Sequence, residues 1–164
     1  MSKAVTAINT PNETRYFYPA DQNWEFRRFK IKASVAYWVW IIIVPEVASN
    51  TSTWYYMIAA SGVNTSGQNI QGILMEPTVA TDDDYTSTNK YRLVAVPKSP
   101  LAKCFFKVWT WTFSQIDVGK VVALHSDFKS LAVDTAWIAA TITDYISSTQ
   151  WKCQLITTTV SQTA

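Results

Sequence analysis

The stretch 113–154 constrains the fold most, because short apolar runs alternate in it with turn-forming residues. The runs 121–125 and 140–146 are each followed by a polar segment, the run 131–135 lies between them, and 151–155 then alternates apolar and polar residues without exception. Valine, isoleucine, threonine and aromatic residues at a period of two, interrupted every eight to twelve residues, are typical of antiparallel strands. The stretch is therefore predicted to be an antiparallel meander with one buried face and one solvent face.

Further strands are predicted along the rest of the chain. The run 35–44 is the most apolar; it is too short to cross a bilayer as a helix, and its β-branched and aromatic residues predict a central strand ended by Pro45. Strands are also predicted over 54–59, which would pair with 35–44, over 91–96 and over 104–113. Helical periodicity is weak, so the predicted fold is all-β: an antiparallel β-sandwich or small β-barrel with an extended N-terminal arm.

The predicted arm covers residues 1–23 and the β-domain covers 24–164, with the glycine-containing segment 61–72 as the place where the domain could subdivide. The arm is polar apart from Tyr16, Phe17 and Tyr18. A chain end stays ordered only when something holds it. This aromatic triplet therefore either anchors the arm on a neighbouring subunit or folds back onto the protein's own core.

Aromatic residues are abundant, with eight Trp, eight Tyr and seven Phe, and some are expected in subunit contacts, where aromatic side chains are enriched. The segment 24–33 alternates basic and apolar residues, which predicts a strand with two different faces. Its basic face is either a solvated edge or a contact for phosphate or an acidic protein surface. The predicted interface residues are Tyr16, Phe17, Tyr18, Trp24, Arg27, Arg28, Lys30 and Lys32.

No catalytic centre, cofactor or metal site is predicted. The single histidine, His125, lies beside a serine and an aspartate, but neighbours on a strand point to opposite faces and do not converge as a triad does. Cys104 and Cys153 lack the spacing of a zinc site and are either a disulfide or two buried thiols. The acidic residues 82–84 lack the alternating spacing of a calcium loop and predict a solvated turn. The net charge of +2 is too small to indicate a nucleic-acid or membrane partner.

The segments 113–120, 121–124 and 126–135, followed by 142–146 and 151–155, resemble the C-terminal β-domain of capsid-associated structural proteins of tailed bacteriophages, of the decoration or cement type. The resemblance lies mainly over residues 70–156. It implies a small, non-enzymatic β-protein that binds the outside of a virus shell, often as a homo-oligomer. The implied partners are the major capsid protein or other virion proteins.

Two other function classes stay open from the sequence. A coat-forming subunit of the shell is a close relative of the first hypothesis. A carbohydrate-binding β-sandwich module would instead use exposed tryptophans such as Trp109 and Trp111. The N-terminus lacks the apolar segment of a signal peptide, so we expect synthesis in the host cytoplasm and assembly onto the capsid surface.

Overall fold

The computed structural model describes residues 17–48, 51–58, 69–106, 114–124, 131–132, 138–147 and 150–157. These residues form eleven strands and one short 3-10 helix (η1). In chain order the elements are Phe17–Pro19 (β1), Trp24–Lys30 (β2), Ile42–Ala48 (β3), Thr51–Ile58 (β4), Gly72–Leu74 (β5), Tyr91–Pro97 (β6), Lys103–Phe106 (β7), Gln115–Asp117 (η1), Val121–Leu124 (β8), Leu131–Ala132 (β9), Ile138–Ser147 (β10) and Gln150–Leu155 (β11).

The strands form two antiparallel sheets, which confirms the predicted all-β fold. The six-stranded sheet has the order β1-β7-β11-β10-β8-β9, and the five-stranded sheet has the order β2-β6-β5-β3-β4. Buried residues from both sheets form one apolar cluster, here called the inter-sheet core. Its larger members are Phe17, Trp24, Trp40, Ile42, Ile70, Ile73, Met75, Phe106, Leu131, Ile142, Trp151 and Leu155.

The five-stranded sheet is buried on its other face as well. Neighbours on a strand point to opposite faces, and whereas Ile42 and Ile73 lie in the inter-sheet core, Ile43 and Leu74 lie in a second apolar cluster. The sheet curls around this second cluster and brings its two edge strands together. Just beyond the end of β2, the Lys32 N–H donates to the carbonyl oxygen of Tyr56 on β4 over 3.0 Å.

The predicted strand 35–44 is wrong in its bounds. Trp40 has a φ of 60°, a conformation that bulky residues rarely adopt, and it interrupts the extended chain so that β3 begins only at Ile42. Pro45 does not end the strand either. It lies within β3 beside a register shift in the pairing with β4, and irregular positions of this kind tolerate a residue without an N–H. The predicted pairing with the 54–59 strand is confirmed by the β3–β4 ladder.

The predicted meander is wrong in its order, although the structure describes a strand within each of the four predicted runs. β8 pairs with β9, and β10 pairs with β11, as consecutive strands of a meander do. However, β10 lies beside β8 instead of β9, so the chain crosses from one side of β8 to the other. The predicted strand 91–96 is confirmed as β6. The first residues of the predicted strand 104–113 belong to β7, and residues 107–113 lie outside the described residues.

The described end of the predicted arm belongs to the six-stranded sheet. β1 pairs antiparallel with β7, and Phe17 lies opposite Phe106. The N–H of Phe17 also donates to the carbonyl oxygen of Trp40 over 3.0 Å. Residues 1–16 lie outside the described residues.

Candidate interaction surface

β2 forms one edge of the five-stranded sheet, and in the described part of the chain its ladder partner is β6 alone. Phe26, Arg28 and Lys30 occupy alternate positions on β2 and therefore share one face, with Tyr91 of β6 opposite Lys30. Phe26 is 49% exposed and Tyr91 is 45% exposed, while the side chain of Arg28 is 46% exposed. We call these four residues the β2 row.

The six-stranded sheet packs over the start of β2 only, and the β2 row begins just beyond the part that it covers. Trp24 occupies the same face two residues earlier, yet it is buried in the inter-sheet core. Its indole N–H donates to the carbonyl oxygen of Lys103 on β7 over 2.9 Å, which ties this end of β2 to the other sheet. The exposure of Phe26 shows that this cover does not extend to the next position on the face.

Arg28 has an internal role in addition to its exposed position. Its two terminal nitrogens donate to the two carboxylate oxygens of Glu76, each over 3.2 Å. Glu76 is only 1% exposed, and it also accepts a hydrogen bond of 3.0 Å from the Leu93 N–H. A buried carboxylate needs such partners. The guanidinium therefore neutralises Glu76 while one side of it faces solvent.

Three of the predicted interface residues belong to the aromatic triplet of the predicted arm. Tyr16 lies outside the described residues. Phe17 is fully buried in the inter-sheet core, as the fold-back alternative predicted, because β1 is a strand of the sheet. Tyr18 is half-buried and stacks on Phe105 with ring centroids 4.7 Å apart. Phe17, like Trp24, is thus a core residue and presents no ring to a partner, which corrects the prediction for both.

The predicted basic residues lie on the surface, but most are engaged within the chain. Lys30 lies 4.9 Å above the ring of Tyr55, and Lys32 forms an ion pair with Glu46. Arg27 has the most exposed of the cationic side chains on β2, with only a 3.7 Å contact to Glu25. Such an exposed contact contributes little, so the Arg27 guanidinium remains accessible to a partner.

Phe26 and Tyr91 were missed by sequence reasoning. A signal for Phe26 was present, since Trp24, Phe26 and Arg28 alternate and therefore share a face. The alternation does not reveal at which position the covering sheet stops. That boundary depends on contacts between β2 and β7, which lie 79 residues apart at Trp24 and Lys103.

The acidic turn is solvated only in part, which corrects the prediction: Asp83 is exposed, whereas Asp82 and Asp84 bind an arginine. Asp84 binds the Arg92 guanidinium through both carboxylate oxygens, at 2.6 and 2.7 Å, and Asp82 binds it at 3.1 Å. The side chains of Arg92 and Asp82 are only 7% and 5% exposed. The Arg92 Nε–H also donates to the carbonyl oxygen of Pro77 over 3.2 Å. These contacts form an ionic cluster, buried at Arg92 and Asp82 and partly exposed at Asp84, that holds the 77–92 segment against the five-stranded sheet.

The ionic cluster should make folding stability depend on acid pH. The hydrogen bond from Arg92 lowers the pKa of Asp84 below its ordinary value. The stability that comes from its ionisation is therefore present above about pH 4, the ordinary aspartate pKa, and is lost as the pH falls through the lowered value. We expect Asp84→Asn to be less stable than the wild type near neutral pH, with the difference shrinking below about pH 4.

Urea unfolding of both proteins between pH 2 and 7 would measure this difference. A gap between wild type and Asp84→Asn that stays constant over the whole range would show that the Asp84 carboxylate is not the source of the acid dependence.

A cavity of about 380 Å³ lies beside the bridge between Tyr37 and Thr78. Its lining residues are all uncharged: Ala36, Tyr37, Trp38, Val39, Trp40, Pro77, Thr78 and Val79. Trp38 is 53% exposed at this cavity. The Thr78 hydroxyl is already committed, because it accepts from the Tyr37 N–H and donates to the Val35 carbonyl oxygen, both over 2.8 Å. The cavity therefore suits an apolar group better than a hydroxyl-rich one.

Comparison with known proteins adds no family or fold assignment. No protein-family model, curated protein or solved structure matches the chain. Within the described ranges, no three histidine, cysteine or acidic side chains are grouped as metal ligands would be, and no helix is long and apolar enough to span a membrane. His125, Trp109 and Trp111, which the sequence singled out, lie outside the described residues.

Proposed function

We propose that the protein is a non-enzymatic structural component of a bacteriophage virion, which decorates or cements the capsid through oligomeric protein–protein contacts. The observation that carries the proposal is the β2 row. It places two half-exposed aromatic rings, Phe26 and Tyr91, on one face with the half-exposed guanidinium of Arg28. Aromatic side chains and arginine are the groups most enriched in protein interfaces and their energetic hot spots.

The edge position of β2 supports the same proposal. An edge strand has backbone groups that another chain can pair with, so a partner strand can be added beside the part of β2 that precedes the contact with β4. Arg27 faces away from the β2 row with an exposed charge, which suits an acidic partner surface. The sequence resemblance supplies the class of partner, namely the major capsid protein or a second copy of this chain.

The carbohydrate-binding alternative has weaker support. Trp38 exposes a large part of its indole, as a sugar-stacking residue would. A sugar ring also needs hydrogen-bond partners for its hydroxyls, and the Thr78 hydroxyl beside Trp38 is already used by the backbone. The β2 row therefore provides the better-supported function.

We expect the double variant Phe26→Ser/Tyr91→Ser to bind capsids at least about tenfold more weakly, which corresponds to about 1.4 kcal/mol. The reason is that the variant lacks the two aromatic rings that a partner would cover. Each ring is also about half buried, so the variant should lose some stability, and binding is compared at a temperature at which both proteins are folded. Co-sedimentation with purified capsids that lack the protein would measure binding, and light scattering after gel filtration would measure the oligomeric state.

Leu101→Ser is the matched control, since Leu101 is 68% exposed but lies in the turn between β6 and β7. It should bind capsids as the wild type does. Equal binding by the double variant and the control would contradict a role for the β2 row, and a wild-type protein that is monomeric and does not sediment with capsids would contradict the proposed function.

A further inference from the structure

Cys104 and Cys153 lie directly opposite each other on β7 and β11, which are neighbours in the six-stranded sheet. Both are fully buried in the inter-sheet core. Their sulfur atoms are in contact at 3.4 Å, and both are free thiols. Two oxidisable groups therefore face each other on neighbouring inner strands of the sheet.

We propose that this pair is a site of oxidation, at which a cross-strand disulfide forms slowly inside the folded protein. This inference is independent of capsid attachment. Directly opposite residues of an antiparallel pair place their β-carbons about 4.5–5.5 Å apart, and a disulfide needs about 3.5–4.5 Å. Because the two thiols already face each other, a small approach of β7 and β11 brings the sulfurs to bonding distance.

A peroxide is the class of oxidant that suits a buried pair, because hydrogen peroxide is little larger than water. One sulfur, as its thiolate, attacks the O–O bond to form a sulfenic acid, and the released hydroxide takes up a proton to become water. The second thiol then attacks the sulfenic sulfur, forms the S–S bond and displaces hydroxide, which leaves as water with the thiol proton. Two thiols and one hydrogen peroxide thus give one disulfide and two water molecules.

Burial makes this reaction slow. Desolvation raises the pKa of the Cys153 thiol well above its ordinary value, so little of the reactive thiolate is present at neutral pH. With neither cysteine exposed, the oxidant reaches the pair only during local opening of the sheet. The thiols therefore persist during synthesis in a reducing compartment, and the disulfide accumulates under prolonged oxidising conditions.

The disulfide would connect residues 49 positions apart and would fasten two inner strands of the sheet. Cross-links of this kind stabilise a fold, largely by restricting the unfolded chain. The expected rise in the melting temperature is roughly 5–15 °C for a chain of this size.

The experiment treats the full-length native protein with hydrogen peroxide in the absence of denaturant. We expect the intact mass to fall by two hydrogen atoms, a non-reduced peptide map to link Cys104 to Cys153, and the melting temperature to rise and then return after reduction. Cys153→Ala, which lacks the partner thiol, should show no loss of two hydrogens within one chain.

Three results would overturn the proposal. The first is that both thiols still react with a thiol reagent when the protein is denatured after prolonged peroxide treatment. The second is a gain of oxygen atoms without a cross-link. The third is a cross-link that forms only in urea-unfolded protein. A disulfide that forms in the native protein but leaves the melting temperature unchanged would overturn its stabilising role.

Discussion

Arg92→Met is expected to lower the free energy of unfolding by about 3–5 kcal/mol, because it removes the guanidinium that neutralises the buried carboxylate of Asp82. Asp82 is almost fully buried and Asp84 is partly buried, and both bind the Arg92 guanidinium. The methionine keeps much of the apolar stem, so the loss comes from the charge and its hydrogen bonds and not from a large cavity. Urea or guanidinium denaturation monitored by tryptophan fluorescence would measure the change.

Arg27→Met is the matched control for Arg92→Met. It makes the same substitution on the neighbouring strand, but Arg27 is exposed and contacts Glu25 only at 3.7 Å. Exposed ion pairs contribute about 0–1 kcal/mol, so this variant should remain close to the wild type. Similar losses in the two variants would show that burial of the ionic cluster does not determine its contribution.

Gly72→Ala is expected to lower the free energy of unfolding by about 3 kcal/mol, at the upper end of the cost of overpacking. Gly72 begins β5, which lies between β3 and β6. A β-carbon at this position would overlap the carbonyl oxygen of Ala95 and lie 2.9 Å from Cγ1 of Val94. The oxygen belongs to the backbone of β6, so the clash cannot be relieved by rotating a side chain. Chemical denaturation would measure the effect.

Gly119→Ala separates this steric effect from the conformational cost of replacing glycine. Gly119 has a φ of 93° but no heavy atom within 4 Å of the added β-carbon. Only backbone strain should result, at about 1–2 kcal/mol. If Gly72→Ala costs no more than Gly119→Ala, then β5 and β6 can separate enough to accept a methyl group.

The strand pattern could be predicted from the sequence because it depends on local periodicity. The alternation in 151–155 and the β-branched residues of 91–96 specify extended chain without reference to distant contacts, and both became strands. The start of β3 could not be predicted in this way. Trp40 leaves the extended conformation although its neighbours favour it, and its N–H donates to the Leu74 carbonyl oxygen over 2.7 Å, a contact with a distant strand.

The sequence predicted the strand that carries the candidate surface, but not the two aromatic residues on it. The sequence pointed to the basic residues of β2, and Arg27 and Arg28 are indeed exposed. It could not show that Trp24 is covered while Phe26 is not, because this difference depends on where the second sheet ends. It also could not pair Arg92 with Asp82, since residues in a turn and on a strand become neighbours only through the tertiary fold.

The burial of both faces of the five-stranded sheet has a consequence for how the protein unfolds. Ile42 and Ile73 pack on one side of the sheet, while Ile43 and Leu74, their immediate neighbours in the chain, pack on the other. Loosening either layer frees the strands that both layers share. The two layers are therefore thermodynamically coupled and should be lost in a single cooperative transition, with neither persisting as a partly folded remnant.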